Sequence, residues 1–387
     1  MSYDITNHRE NRAVCQQAGL RVKGDTHMER RYDKALVGAI ESGARPLRRG
    51  KLELTLRPVP DDRRENVIDP RILEVSRRKM ADARMSPSWT SLLGMRYRPD
   101  KPTYDLTSSD VSEREVLVDG GDRYIDLFIW TPERHVAPSP ALVYLHGGAF
   151  MAGNVLQFRH QLSYIAEKSG AVVVYPEYRL APETPFPGQI EDSLLAINYV
   201  RDNADSLGVN PRQIMVAGDS AGGSLTNACV QLLDRGTIAY AFEIYPEVDM
   251  AGDQGTGYDD FPVLDEQADA MRFRIDHLRD SDDAMVKLCI HGKTSPRDPL
   301  LSAVEIDDCS QFPPMTVITS EYDPLRIADE RWAEKLIEAG VDVELIEYAG
   351  CDHGFFDHFG VYPQSEDVCL LMAERLKRLR ETAAVGL

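Results

Sequence analysis

Ile214-Met215-Val216-Ala217-Gly218-Asp219-Ser220-Ala221-Gly222-Gly223 is an apolar run that ends on a glycine. Small residues then lead into Leu225 to Leu233, where the apolar spacing is helical. This is how a strand that turns sharply into a helix is written, and Ser220 stands at the corner. Gly218 and Gly222 let the backbone pass where a Cβ would clash, so the turn can hold the serine hydroxyl out of the sheet. Ordinary glycine-rich loops carry the same five-residue pattern, so the rest of the chain decides its meaning.

Outward from this corner, short β-rich runs alternate with helical ones. Glu115 to Val118 and Tyr124 to Trp130 flank Gly120-Gly121 and read as an antiparallel pair. Ala141 to Leu145, Ala171 to Tyr175, Ile214 to Ala217, Ala239 to Tyr245, Met315 to Thr319 and Val343 to Tyr348 are mostly continuous apolar runs, as expected of parallel strands covered on both faces. Helical stretches lie between them at Gln157 to Lys168, Ile190 to Ser206, Ala221 to Leu233 and Ile327 to Ala339, and a last one runs from Glu366 to Arg380. The expected fold is therefore α/β, with an eight-stranded, mostly parallel sheet and helices on both faces. One interval, about residues 251–301, breaks the alternation. It is acidic, has amphipathic stretches at Ala268 to Leu278 and Asp283 to Cys289, and reads as an insertion over the C-terminal edge of the sheet, placed as a lid would be.

Residues 1–108 read as an N-terminal extension, and 109–387 as the main domain. Residues 1 to about 30 form an unpatterned arm. Arg31 to Ile40 is helical, Leu52, Leu54 and Leu56 suit a short strand, Asp69-Pro70 opens a second helix, and Ser86 to Thr107 is an irregular connection. The chain has 387 residues and a net charge of −19, which disfavours nucleic acid and anionic membrane surfaces as partners. The charge is uneven: residues 1–100 carry a net +7 and the remainder −26. Complementary charge predicts that the basic segment docks on the acidic body, in its own subunit or in a neighbour, and a homodimer involving this region is expected. The polar start and the absence of an apolar run of roughly 18 residues predict a cytoplasmic protein without stable membrane association. Six cysteines scattered without metal-type spacing read as reduced thiols.

A serine hydroxyl needs a base within hydrogen-bond reach, a third group to orient that base, and donors for the oxyanion. In an α/β sheet these belong at the C-terminal ends of strands. Gly147-Gly148 follows the Ala141 to Leu145 strand; its amides, with that of Ala221, would make an oxyanion hole, although a tight turn is the plainer reading. His146 beside it reads as a structural hydrogen-bonding residue. Asp323 follows the Met315 to Thr319 strand and His353 the Val343 to Tyr348 strand, which yields a candidate triad Ser220, Asp323, His353 in chain order. Asp352 and Asp329 are the competing acids. Phe150, Met151 and Phe186 could line an acyl or alcohol pocket or simply pack the core, and Arg179 and Glu183 read as structural ion-pairing residues. No metal or cofactor is required by this chemistry.

His146-Gly147-Gly148, Tyr178-Arg179-Leu180-Ala181-Pro182-Glu183, Gly218-Asp219-Ser220-Ala221-Gly222-Gly223, Asp323-Pro324-Leu325-Arg326 and His353-Gly354-Phe355 together resemble the hormone-sensitive-lipase-like branch of the α/β-hydrolases, which includes bacterial esterases and the arylacetamide deacetylases. The resemblance covers roughly residues 110–380. It implies a carboxylesterase acting on short- to medium-chain acyl esters, with a cap built from N-terminal residues and an insertion after the sixth strand. An amidase or acyltransferase would use the same acyl-enzyme, and a ligand-binding relative without turnover is a further alternative. Ala149 departs from the third glycine that many members carry, and the resemblance does not account for the first 60 or so residues.

Overall fold

The computed structural model describes residues 29–83, 92, 96, 104–252 and 257–385. Helix α1 (Ala35–Ser42) leads into a hairpin of β1 (Arg45–Arg49) and β2 (Leu52–Arg57), and α2 (Pro70–Ala83) follows with Asp69 Oδ1 accepting from Arg71 N at 2.9 Å as its cap. Strands β3 (Val111–Asp119) and β4 (Tyr124–Pro132) are antiparallel. Then β5 (Ser139–Leu145), α3 (Val155–Ser169), β6 (Val172–Glu177), α4 (Gly188–Asp202), the single turn α5 (Ala204–Leu207), β7 (Val209–Asp219), α6 (Ala221–Leu232) and β8 (Tyr240–Ile244) continue the chain. After β8 comes the insertion, whose long helix is α7 (Ala268–Met285). The chain closes with β9 (Met315–Tyr322), α8 (Arg326–Glu338), β10 (Val343–Asp352) and α9 (Pro363–Val385).

The sheet has ten strands in the order β1-β2-β10-β9-β8-β7-β5-β6-β4-β3, two more than the eight expected from sequence. Both extra strands come from the N-terminal region, and β2 adds in parallel to β10 with Thr55 opposite Ile346. The Leu52, Leu54, Leu56 alternation was visible, but its partner nearly 300 residues away was not. Strand β1 carries Pro46 and three arginines and has no apolar alternation of its own; it is a strand because β2 pairs with it across Gly50, whose φ is +59°. Adjacent residues of the central strands point to opposite faces: Val143, Val216 and Val317 join one apolar cluster, and Leu142, Met215 and Ile318 the other. Covering both faces explains why these strands read as continuous apolar runs.

The basic N-terminal region docks on the acidic body of its own chain through specific pairs. Arg30 donates to both oxygens of buried Glu366 at 3.0 Å, and Tyr32 and Tyr164 hydroxyls add bonds of 2.7 and 2.8 Å to the same carboxylate. Arg49 meets Glu347 at 2.6 and 2.9 Å. Arg57 reaches both oxygens of Asp367 at 2.8 and 2.6 Å, beside the Tyr348 hydroxyl at 2.6 Å. The arm at residues 1–28, most of the connection from Ser86 onward, and Cys15 lie outside the described residues. The other five cysteines are free and buried. No described helix is long and apolar enough to cross a membrane.

Burial pushes the Asp367 carboxyl up to about 6, with Arg57 pulling the other way. A carboxyl raised above its unfolded value of roughly 3.9 costs stability as pH rises between the two values, because the unfolded chain ionises first. Arg57→Met removes the compensating charge. It should lower unfolding free energy by about 3–5 kcal/mol at neutral pH, and denaturant titrations should show a larger loss at pH 8 than at pH 5.

Candidate active site

Ser220 occupies the corner between β7 and α6 with φ +53° and ψ −119°, a conformation that non-glycine residues avoid. Its neighbours explain how the chain holds it there. A Cβ on Gly218 would run into the Gly222 carbonyl, and one on Gly222 into the Leu145 carbonyl, so β7, α6 and the end of β5 approach at backbone distance. The Ser220 amide donates to Ile244 O at 2.9 Å, and its carbonyl accepts from Gly223 N at 2.9 Å and Glu247 N at 3.0 Å. The corner is over-determined, and its hydroxyl projects from the strand end.

The structure brings all three expected side chains together. His353 Nε2 lies 3.0 Å from Ser220 Oγ, and His353 Nδ1 lies 2.7 Å from Asp323 Oδ2. A carboxylate only accepts, so Nδ1 carries the proton and Nε2 is left to accept from the hydroxyl. Asp323 is fully buried, and its other oxygen accepts from Leu325 N at 2.9 Å. Burial alone would depress the imidazole pKa, but Asp323, with smaller contributions from Asp219 and Asp357, outweighs it and the net shift is upward. The two competing acids lie elsewhere. Asp352 turns away to pair with Arg274 of α7. Asp329 is buried in α8, where its oxygens have no hydrogen-bond partner among the described residues and burial holds its carboxyl well above the usual range.

One expected oxyanion donor is corrected. The Gly147 amide donates to Asp219 Oδ1 at 2.8 Å, so it is already committed. That oxygen also accepts from the Tyr144 hydroxyl at 2.6 Å, and the buried Asp219 thereby ties the turn after β5 to the serine corner. The next amides are differently placed: among the described residues those of Gly148, Ala149 and Ala221 donate to no acceptor. Gly148 has φ +123°, and Ala149 follows it with φ +55° in spite of its Cβ.

His146 is structural, as expected. Its Nδ1 meets Gly147 O at 2.7 Å, its ring stacks on Tyr178 at 4.1 Å, and burial drives its pKa down to about 4, so it is neutral. Phe150 and Met151, candidates for lining a pocket, are each 1% exposed and packed into the core, so in this conformation they offer almost no surface to a ligand. Phe186 is nearly as buried, and its amide donates to Cys289 O at 2.9 Å, which ties the loop after β6 to the insertion. Arg179 pairs with Asp192 at 2.9 Å, and Glu183 with Arg96 at 2.6 Å. Sequence reading missed Arg96, which also donates to Met151 O and Ala181 O at 2.8 Å and so fastens the two loops beside the site. It sits in a stretch without periodicity, where nothing marked it.

The loop that carries His353 is held from several directions. Gly350, with φ +71° at a bulge in β10, donates to Glu321 Oε2 at 2.7 Å, and its carbonyl accepts from Asp69 N at 3.0 Å. A Cβ on Gly350 would press on Val59 and on the backbone of Val67 and Asp69. The aromatic ring of Tyr245 supports the imidazole with a centroid separation of 4.7 Å.

The alpha/beta hydrolase fold family matches residues 142–357, more than half of the chain. The chain is 35% identical to carboxylesterase NlhH of Mycobacterium tuberculosis over 246 residues, covering 62% of this chain and 73% of that protein. It is 30% identical to an arylesterase of Saccharolobus solfataricus over 269 residues, 68% of this chain and 82% of the other. Among solved structures, the esterase of Pyrobaculum calidifontis superposes with a TM-score of 0.63 at 28% identity, over 81% of this chain and 99% of its own. With the serine corner, the strand-end loops and the sheet order already in place, these likenesses show that the chain belongs to the α/β-hydrolase family, in its hormone-sensitive-lipase-like branch of ester-bond hydrolases.

Proposed function

We propose that this enzyme is a cytoplasmic serine carboxylesterase acting on short- to medium-chain acyl esters. The observation that carries the reading is the hydrogen-bonded sequence Ser220–His353–Asp323, with each residue at the C-terminal end of its own strand. His353 takes the proton of Ser220 as Oγ attacks the ester carbonyl, while Asp323 keeps the imidazole in the required tautomer and balances its charge once protonated. The negative oxygen of the tetrahedral intermediate is stabilised by amides that have no other acceptor among the described residues, those of Gly148 and Ala221 with Ala149 as a third. His353 then returns the proton to the leaving alcohol and activates the water that hydrolyses the acyl-enzyme. The names of the relatives support the ester as the bond cleaved.

Ser220→Ala should reduce kcat on p-nitrophenyl esters by about 10⁴–10⁶. Retention of parent activity by this variant, measured across acyl lengths from acetate to decanoate, would sink the proposal; the same panel on the parent enzyme checks the chain-length preference.

The base works as neutral imidazole, so activity falls as pH drops through its pKa. Because that pKa is raised in the folded enzyme, the acid limb of kcat/KM should lie above the ordinary histidine value of 6.5. Asp323→Asn removes the main raising influence. It should move that limb to lower pH and cut kcat by roughly 10⁴; an unmoved limb would show that another group is being titrated.

A further inference from the structure

Helix α7 belongs to the insertion, yet one of its side chains reaches the peptide that carries the proposed base. The Arg274 guanidinium, 12% exposed, pairs through Nε with Oδ2 of Asp352, whose side chain is 4% exposed, and its Nη2 donates to the backbone carbonyl of His353 at 3.2 Å. Asp352 Oδ1 is buried and has no partner among the described residues, so Arg274 is the group that compensates this carboxylate. The planar guanidinium thus binds the Asp352 side chain and the carbonyl of His353, which holds the backbone on both sides of the His353 Cα in orientation as well as in position.

On the opposite side the same loop is held by the sheet and the N-terminal region, through Glu321 and Asp69 on Gly350. Those two contacts act at a glycine three residues before His353, and the ladder with β9 resumes at Asp352, opposite Tyr322, so the sheet holds the chain only up to the residue before the base. Arg274 acts on the His353 peptide itself. Helix α7 in turn is seated by α2, against which it packs, and by Gln267 Oε1, which accepts from Ile68 N at 2.8 Å.

We propose that Arg274 is a positioning residue through which the insertion orients His353 for proton transfer, so that the seating of the insertion on the sheet sets the efficiency of the base. The inference rests on the serine-hydrolase reading of Ser220, Asp323 and His353. Its consequence is a split between kinetic constants: Arg274 contacts the base's own peptide, so its loss misaligns the base in every turnover while ground-state binding of the ester is little changed.

The test compares the parent with Arg274→Gln, Arg274→Lys and the double variant Arg274→Gln/Asp352→Asn. The readouts are kcat and KM on p-nitrophenyl acetate, the rate of Ser220 labelling by a fluorophosphonate, and the thermal midpoint. Arg274→Gln should lower kcat and the labelling rate by roughly 10–100-fold with KM within about twofold, since small displacements of a catalytic group have effects of this size. Arg274→Lys keeps the charge on Asp352 and should recover part of the loss. The double variant leaves no unpaired carboxylate at position 352 and should regain thermal stability without regaining kcat, which keeps the test readable should the single variant fail to fold. Parent-like labelling and kcat in a folded Arg274→Gln or double variant would overturn the inference while leaving the hydrolase reading intact. A parent protein that neither labels nor turns over would remove both.

Discussion

The site depends on a backbone that closes on itself at Ser220. A residue with a Cβ is held at φ +53° because Gly218 and Gly222, two residues to either side, have no Cβ to keep the neighbouring backbone away and because hydrogen bonds on both its amide and its carbonyl leave no softer alternative. That corner fixes more than the hydroxyl. Asp219, one residue earlier, points back into the protein and binds both the Tyr144 hydroxyl and the Gly147 amide, so the turn after β5 is registered against the serine by a buried carboxylate. Nucleophile and proposed oxyanion donors therefore move as one unit, which is the preorganisation that stabilises developing charge without reorganisation during the reaction.

The base is held differently. Its loop crosses the end of β10, where a bulge at Gly350 breaks the register, and contacts from β9, from the N-terminal region and from α7 converge on it. Of these, only Glu321 of β9 belongs to the core sheet. The N-terminal segment and the insertion, distant in sequence from Ser220, thus share in placing the imidazole, and neither is an appendage to an otherwise complete domain.

Charge explains how the N-terminal region is joined to the rest. The contrast between a basic first quarter and an acidic body is resolved into a few arginine–carboxylate pairs with one or both partners buried: Arg30 on Glu366, Arg49 on Glu347, Arg57 on Asp367. Such pairs contribute orientation more than net stability, because desolvating both ions offsets much of their attraction. Arg49 ties the β1-β2 hairpin to β10 and Arg57 ties the end of β2 to α9, and the hydrophobic side chains Leu52 and Leu54 complete the attachment.

Sequence by itself was enough for the eight core strands, the order of Ser220, Asp323 and His353, and the structural role of His146. Those features are written locally: two-sided burial makes an apolar run, a tight corner demands glycines, and a group at a strand end follows its strand directly. What it left open or misjudged depends on contacts between distant segments. Strand β1 exists through its pairing with β2, and the hairpin's place in the sheet through β2's pairing with β10. The Gly147 amide looked available until Asp219, more than 70 residues away, was seen to accept from it. Phe150 and Met151 were left open between pocket lining and core packing, because their position in the chain says nothing of how closely the core surrounds them. Arg96 and Arg274 carry no motif at all. Their importance comes from the carbonyl and carboxylate groups that the folded chain brings within hydrogen-bond distance, and only the tertiary structure decides which those are.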